Sequence, residues 1–127
     1  MQDKYLFEYA VVRFVPRVER QEFLNVGVIL YCAKQKFLQA KYHVNESRLQ
    51  AFSPGTDLRE LTRHIYAMEL ICCGGDGAGP IGQLDMASRF RWLTASRSTV
   101  LQTSKVHPGF CGNSLETLEK LFYALVC

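Results

Sequence analysis

The stretch "YLFEYAVVRFVPRVERQEFLNVGVILYCAKQKFLQAKYH", residues 5–43, decides the fold. Its first segment, residues 5–15, is rich in β-branched and aromatic residues on both alternating faces, which predicts a strand that Pro16 ends. Residues 22–32 alternate in the same way and predict a central strand, paired with the first as a hairpin. A polar turn then leads into residues 37–43, so the stretch predicts a three-stranded antiparallel meander.

Beyond this meander, the apolar residues recur at helical spacing. Residues 47–52 predict a short helix after Asn45, and residues 57–73 predict a long one. The same rules predict a loop over 74–82, a helix over 86–94 capped by Asp85, a strand over 98–106 and a helix over 114–126. The sequence therefore predicts a single α+β domain over residues 1–127. Its sheet is mainly antiparallel with about four strands, the N-terminal meander plus a later strand, and helices pack on one face.

The composition is typical of soluble globular proteins, with 48% hydrophobic and 21% charged residues. The sequence has no run of 18 apolar residues and no secretory signal pattern, so we expect a cytoplasmic protein with no membrane association. Five cysteines without framework spacing indicate reduced thiols rather than disulfides. The net charge of +3 is spread too thinly to favour nucleic acid as a partner.

The sequence contains no motif that names a reaction. The glycine-rich segment 74–82 lacks the lysine and the preceding strand of a P-loop, so it reads as a connector. His107 and Cys111 are four residues apart, but Pro108 and Gly109 between them predict a turn, and no paired Cys or His motif supports a metal. No nucleophile elbow is present. These patterns favour a non-enzymatic protein and indicate neither a metal nor a cofactor.

A polar cluster stands where the third predicted helix, residues 86–94, gives way to the later strand. It consists of Arg97, Ser98 and Thr99, followed by Gln102 and His107. A guanidinium is a fork of donors that matches a carboxylate or phosphate, and neighbouring hydroxyls can complete the shell around such an anion. In the alternative interpretation, Arg97 pairs with an acid such as Glu69 while the hydroxyls satisfy local backbone groups.

The central strand contains a second polar anomaly. Asn25 and Gly27 are poor strand formers that share one otherwise apolar face of the predicted strand. Arg13 on the neighbouring strand and Glu22 extend them into a predicted polar island on a hydrophobic sheet. The alternative is a β-bulge whose asparagine is hydrogen-bonded within the protein.

Three stretches of the chain resemble one known family. They are "YAVVRFVPRVERQEFLNVGVILYC" (9–32), "GPIGQLDMASRFRWLTASRSTVLQTSKVHPGFCG" (79–112) and "LETLEKLFYALV" (115–126). The family, domain of unknown function 3037, consists of short bacterial cytoplasmic proteins. Its members are often encoded beside a HipA-like kinase, and the resemblance thereby implies a protein partner. The family has no established catalytic residues, so none is carried over to this chain.

Two functional hypotheses follow. In the first, the chain is a non-enzymatic binding or accessory domain that recognises a protein partner, with a polar centre formed by Arg13, Asn25, Arg97, Ser98 and Thr99. In the second, it is an enzyme or sensor that binds a phosphorylated or other anionic small molecule at Arg97, Ser98 and Thr99. A ligand site should be a concave pocket, whereas a partner site is flatter and bordered by exposed apolar residues.

Overall fold

The computed structural model describes residues 4–95 and 99–127, and its centre is a five-stranded antiparallel sheet. The strands are β1 (Tyr5–Phe14), β2 (Leu24–Cys32), β3 (Phe37–Tyr42), β4 (Leu101–Thr103) and β5 (His107–Cys111). Their order is β3-β2-β1, and β4 and β5 both pair with the far side of β1. The predicted fold class and N-terminal meander are confirmed. The sheet has one strand more than the four that the sequence predicts.

Five helices accompany the sheet: α1 (Glu46–Phe52), α2 (Leu58–Cys73), α3 (Gly79–Gly82), α4 (Met86–Leu93) and α5 (Ser114–Leu125). Side chains of Asn45, Asp57 and Asp85 accept backbone N–H groups at the starts of α1, α2 and α4, and the cap predicted at Asp85 is confirmed. The loop predicted over 74–82 is wrong in part, since it contains a 3-10 turn and α3. Pro80 in the first turn of α3 has a fixed φ that suits a helix start.

Helices cover both faces of the sheet. In β2, Ile29 packs with residues of α1, α2 and α4, whereas Val28 and Leu30 pack with Leu118 and Phe122 of α5. Because successive strand residues point to opposite faces, α5 lies across the sheet from the other packed helices. The sequence predicts helices on one face, and this detail is wrong. Both faces of β2 are apolar, so each face requires its own helical cover.

The edge beyond β1 is shared by two short strands. The strand predicted over 98–106 is observed only as β4, and β5 lies beyond the predicted range. β4 ends before Ser104, whose Oγ accepts the N–H of Val11 while its own N–H donates to the Val11 carbonyl, both at 2.8 Å. Pro108 and Gly109 lie inside β5, so the predicted turn is wrong. An edge strand tolerates a proline. Glycine is required at position 109 because a Cβ there would lie only 2.6 Å from the Phe7 ring.

Candidate functional site

A polar row crosses three strands of the sheet at Arg13. Arg13 is the register partner of Asn25 in β2 and of Gln102 in β4. The sequence predicted that Arg13 and Asn25 lie together, and the strand pairing places them side by side. Strand pairing alone joins them to Gln102, since no local pattern links residues so far apart in the chain.

A β-bulge beside Arg13 sets the direction of Asn25. Val12 pairs with Gly27 but Arg13 pairs with Asn25, so one extra residue stands in β2 between the two pairs. The Asn25 amide nitrogen therefore reaches α5 and donates to the Leu125 carbonyl at 3.0 Å. Gly27 instead lies against the Tyr42 ring, where a Cβ would be only 2.6 Å from it. The predicted common face for Asn25 and Gly27 is wrong, because the bulge changes the alternation between them.

Arg13 is stacked on an aromatic ring at the surface. Its guanidinium carbon lies 4.0 Å from the centroid of the Phe23 ring, and Phe23 is 44% exposed. Two buried polar atoms beside this stack, Arg13 Nε and Asn25 Oδ1, have no hydrogen-bond partner among residues 4–95 and 99–127. The site therefore combines an exposed aromatic residue, a planar cation, and a donor and an acceptor whose hydrogen-bonding capacity is unused.

Glu22 does not join this row. Its carboxylate forms an exposed ion pair with Arg20. The hydrogen bond and the charge of this pair lower the pKa of Glu22 and raise the pKa of Arg20. The predicted polar island is therefore smaller than expected, since Glu22 is occupied by its own neighbour in the loop.

The predicted cluster around Arg97 is only partly described. Arg97 and Ser98 lie outside the described residues. Thr99 donates from Oγ1 to the Leu101 carbonyl at 2.6 Å, and its own carbonyl accepts from the Gln102 side chain at 3.0 Å. His107 begins β5 and packs against Tyr9, with ring centroids 5.3 Å apart. Thr99 and Gln102 thus form local hydrogen bonds. For the Thr99 hydroxyl this agrees with the alternative interpretation, in which the hydroxyls of the cluster satisfy nearby backbone groups.

Two clefts lie near these elements. One, of about 140 Å³, is lined by Thr99 and Gln102 together with His64, Trp92 and Thr103 among others. A second, of about 280 Å³, lies where the end of β1 meets the start of α2. Pockets for drug-sized ligands usually measure about 300–1,000 Å³. Gln102, at the β4 end of the polar row, lines the smaller cleft, but Arg13 and Asn25 line neither, so these two residues lie at the surface rather than on the floor of a pocket.

The most deeply embedded charge in the described chain was missed by the sequence reasoning. Arg89 in α4 is 8% exposed, and its Nη1 donates to the carbonyls of Ile71 and Cys72 at 2.8 and 2.6 Å. Its Nε donates to the Leu84 carbonyl at 3.1 Å. Arg89 therefore caps the C-terminus of α2, where unpaired carbonyls favour a cation.

The conformation of Gly74 is matched to this cap. Gly74 has a φ of +76°, and a Cβ there would lie 2.9 Å from the Arg89 guanidinium carbon. One signal for the cap was visible in the sequence: Arg89 follows Met86 by three residues and so falls within the apolar stripe of α4. The role of Arg89 is structural, because every hydrogen bond that its side chain forms within residues 4–95 and 99–127 goes to a backbone carbonyl.

Two buried groups, the Cys72 thiol and the Tyr42 phenol, are poorly suited to acid–base or nucleophilic chemistry. All five cysteines are free, and Cys73 and Cys127 are the exposed ones. Burial raises the pKa of Cys72 to about 12, and burial also raises the pKa of Tyr42 well above its usual range. Both groups therefore stay protonated at neutral pH.

Within residues 4–95 and 99–127, no three His, Cys, Asp or Glu side chains are grouped closely enough to hold a metal ion. None of the helices in these two ranges has both the length and the apolar character needed to cross a bilayer.

Comparison with known proteins gives one family and no individual relative. No curated protein and no solved structure matches the chain. A family model described as "Protein of unknown function (DUF3037)" matches residues 9–126, nearly the whole chain, and confirms the resemblance seen in the sequence. The chain therefore belongs to the DUF3037 family of proteins of unknown function.

Proposed function

We propose that this protein is a non-enzymatic binding domain that recognises a protein partner through the surface around Arg13. The observation that carries the proposal is the stack of Arg13 on the exposed Phe23, beside two buried polar atoms without hydrogen-bond partners. Arginine and aromatic residues are enriched in protein interfaces and among the residues that dominate binding energy.

Two buried polar atoms without hydrogen-bond partners in the described part of the chain, Arg13 Nε and Asn25 Oδ1, make binding of a partner that satisfies them more favourable. Leaving a buried donor or acceptor unsatisfied costs about 1–3 kcal/mol per group. Both atoms are buried in the free chain, so a partner reaches them only when the Arg13 and Asn25 side chains turn toward it. A partner that then supplies an acceptor to Arg13 Nε and a donor to Asn25 Oδ1 removes this cost, and a backbone peptide or a side-chain amide carries both. The stacked guanidinium is held by the Phe23 ring, so less conformational entropy is lost on binding.

The shape of the site favours a protein over a small molecule. Arg13 and Asn25 line neither of the two clefts described above, and Phe23 stands exposed beside them. The alternative of an anion-binding enzyme or sensor depends on Arg97 and Ser98, which lie outside the described residues. The third member of that cluster, Thr99, uses its hydroxyl in a bond to Leu101.

A HipA-like kinase is the partner we propose to test first, because family members are often encoded beside one. The experiment is calorimetric titration of the purified chain with a purified HipA-like kinase. Arg13→Ala and Phe23→Ala are expected to weaken binding by about tenfold to a hundredfold, which is typical of interface residues that matter. Arg63→Ala, which removes an exposed arginine from α2, is the matched control and should bind like the wild type.

A thermal melt of each variant separates recognition from folding. The proposal requires that Arg13→Ala and Phe23→Ala lose affinity while remaining folded at the assay temperature. Equal affinity of wild type, Arg13→Ala and Phe23→Ala for the kinase would refute a role for this surface in binding it.

A further inference from the structure

A pair of large apolar side chains is exposed at the β1–β5 edge. Leu6 and Phe110 are register partners, and they are 52% and 69% exposed. Neighbouring Phe7 belongs to the cluster under α5, so Leu6 and Phe110 point to the opposite face, the one that α2 and α4 cover elsewhere. Glu8, two residues further along β1 than Leu6, is the register partner of Tyr31 in β2, and Tyr31 stacks on Phe90 of α4. The apolar pair thus lies just beyond the cover given by α4.

Opposite charges flank this pair along β1. Lys4 directly precedes β1, and Glu8 lies within it, so with Leu6 they form one stripe on one face. At about 3.3 Å per residue, Lys4 and Glu8 are separated by about 13 Å, with Leu6 midway between them. This separation is too great for an ion pair within the chain, and neither side chain forms one with any described residue.

We propose that the stripe of Lys4, Leu6 and Glu8, together with Phe110, is a self-complementary surface through which two copies of this chain form a symmetric dimer. The stripe has the layout of an interface, with an apolar centre and a charged rim. A two-fold axis placed at Leu6 superposes the apolar centre on itself and exchanges its two charged ends.

The charges of Lys4 and Glu8 favour a second copy of this chain as the partner and favour antiparallel β1 strands in the dimer. When two copies pack face to face with antiparallel β1 strands, Lys4 of each copy meets Glu8 of the other, and the dimer contains two ion pairs. With parallel β1 strands, Lys4 meets Lys4 and Glu8 meets Glu8, which is repulsive. A second copy therefore supplies the complement that the stripe needs at both of its ends.

The first test is the oligomeric state in solution. Sedimentation velocity at about 100 µM protein detects any dimer whose Kd is at or below that concentration. We expect the wild type to dimerise and Phe110→Asp to be monomeric. Leu115→Asp on α5, where the replaced side chain is 49% exposed, is the matched control and should dimerise like the wild type. A monomeric wild type, or a dimeric Phe110→Asp, overturns the proposal.

The second test is a charge reversal and its rescue. Lys4→Glu and Glu8→Lys should each weaken the dimer by about tenfold, because each replaces two attractive pairs with two repulsive ones. The double variant, Lys4→Glu with Glu8→Lys, should restore wild-type affinity. Failure of the double variant to recover overturns the proposed orientation, whatever the effect of each single change. These substitutions lie on exposed or half-exposed positions, and circular dichroism checks that each variant is folded.

This surface is separate from the one assigned to partner recognition. Arg13 lies next to Val12, whose side chain faces the same helices as Leu6 does, so Arg13 itself points to the opposite face of the sheet. Arg13→Ala should therefore leave dimerisation unchanged, and the outcome of either set of experiments does not decide the other.

Discussion

Arg89→Met is expected to destabilise the domain strongly while leaving the volume of the α2–α4 contact nearly unchanged. Methionine keeps most of the aliphatic stem of Arg89 but none of its donors. Three hydrogen bonds disappear, to the carbonyls of Ile71, Cys72 and Leu84. The first two of these carbonyls belong to the C-terminal turn of α2, which has no other helical partner for them.

The magnitude follows from the kind of bond that is lost. Hydrogen bonds made by a charged donor each contribute about 1.5–3 kcal/mol. Removing the cation also removes the cost of burying it, and this gain offsets part of the loss. We expect a net loss of about 3–4 kcal/mol, a large fraction of the 5–15 kcal/mol that is typical of the free energy of unfolding of a domain. Arg89→Lys keeps the charge but not the fork, so its loss should be intermediate.

The assay is equilibrium unfolding in urea, with the free energy extrapolated to water and the m-value compared between variants. Arg91→Met is the matched control, because Arg91 lies on the same helix and is exposed; it should change stability by less than about 0.5 kcal/mol. If Arg89→Met and Arg91→Met unfold at the same urea concentration, with equal m-values, then the buried guanidinium does not hold α2 and α4 together.

Three further outcomes are expected. Val28 is fully buried in β2, so Val28→Asp should cost about 3 kcal/mol or more, measured by urea unfolding. In native protein, a thiol reagent should label Cys73 and Cys127 quickly and Cys72 slowly, and equal thiol counts in denaturant with and without reductant would agree with five free cysteines. Hydrogen bonds from Ser88 lower the pKa of the Asp85 cap below its ordinary value of 3.8. The charged carboxylate therefore stabilises the fold fully above pH 3.8, and this stabilisation is lost as the pH falls through the pKa of Asp85 in the folded protein. Thermal melts should therefore show wild type above Asp85→Asn at neutral pH, with the difference vanishing in acid; a difference that persists in acid would contradict this.

The parts of the fold that the sequence predicts well depend on local periodicity. The β1–β2–β3 meander and the start of each long helix follow from alternation, helical spacing and capping residues. The position of α5 could not be predicted in this way. Its apolar stripe shows that it packs on something, but not on which face of the sheet it packs.

The errors at the far edge have a different cause. Pro108 and Gly109 are turn residues by composition, and only the pairing of β5 with β1 shows that both are suited to an edge strand. Similarly, Arg13 and Asn25 were expected to meet because both are polar residues in neighbouring strands. The bulge that directs Asn25 toward Leu125 depends on strand register, which the sequence pattern does not determine at that point.

The proline in β5 also bears on how this protein avoids uncontrolled strand addition. A proline is accommodated in an edge strand when its nitrogen faces away from the neighbouring strand, so the outer side of β5 has no amide donor at position 108. An unfolded chain that approaches this side would find the ladder of donors broken in the middle of a five-residue strand. The opposite edge, β3, has six residues and no proline. Fibril growth under mildly destabilising conditions should therefore begin at β3, and gatekeeper substitutions intended to improve solubility belong there rather than on β5.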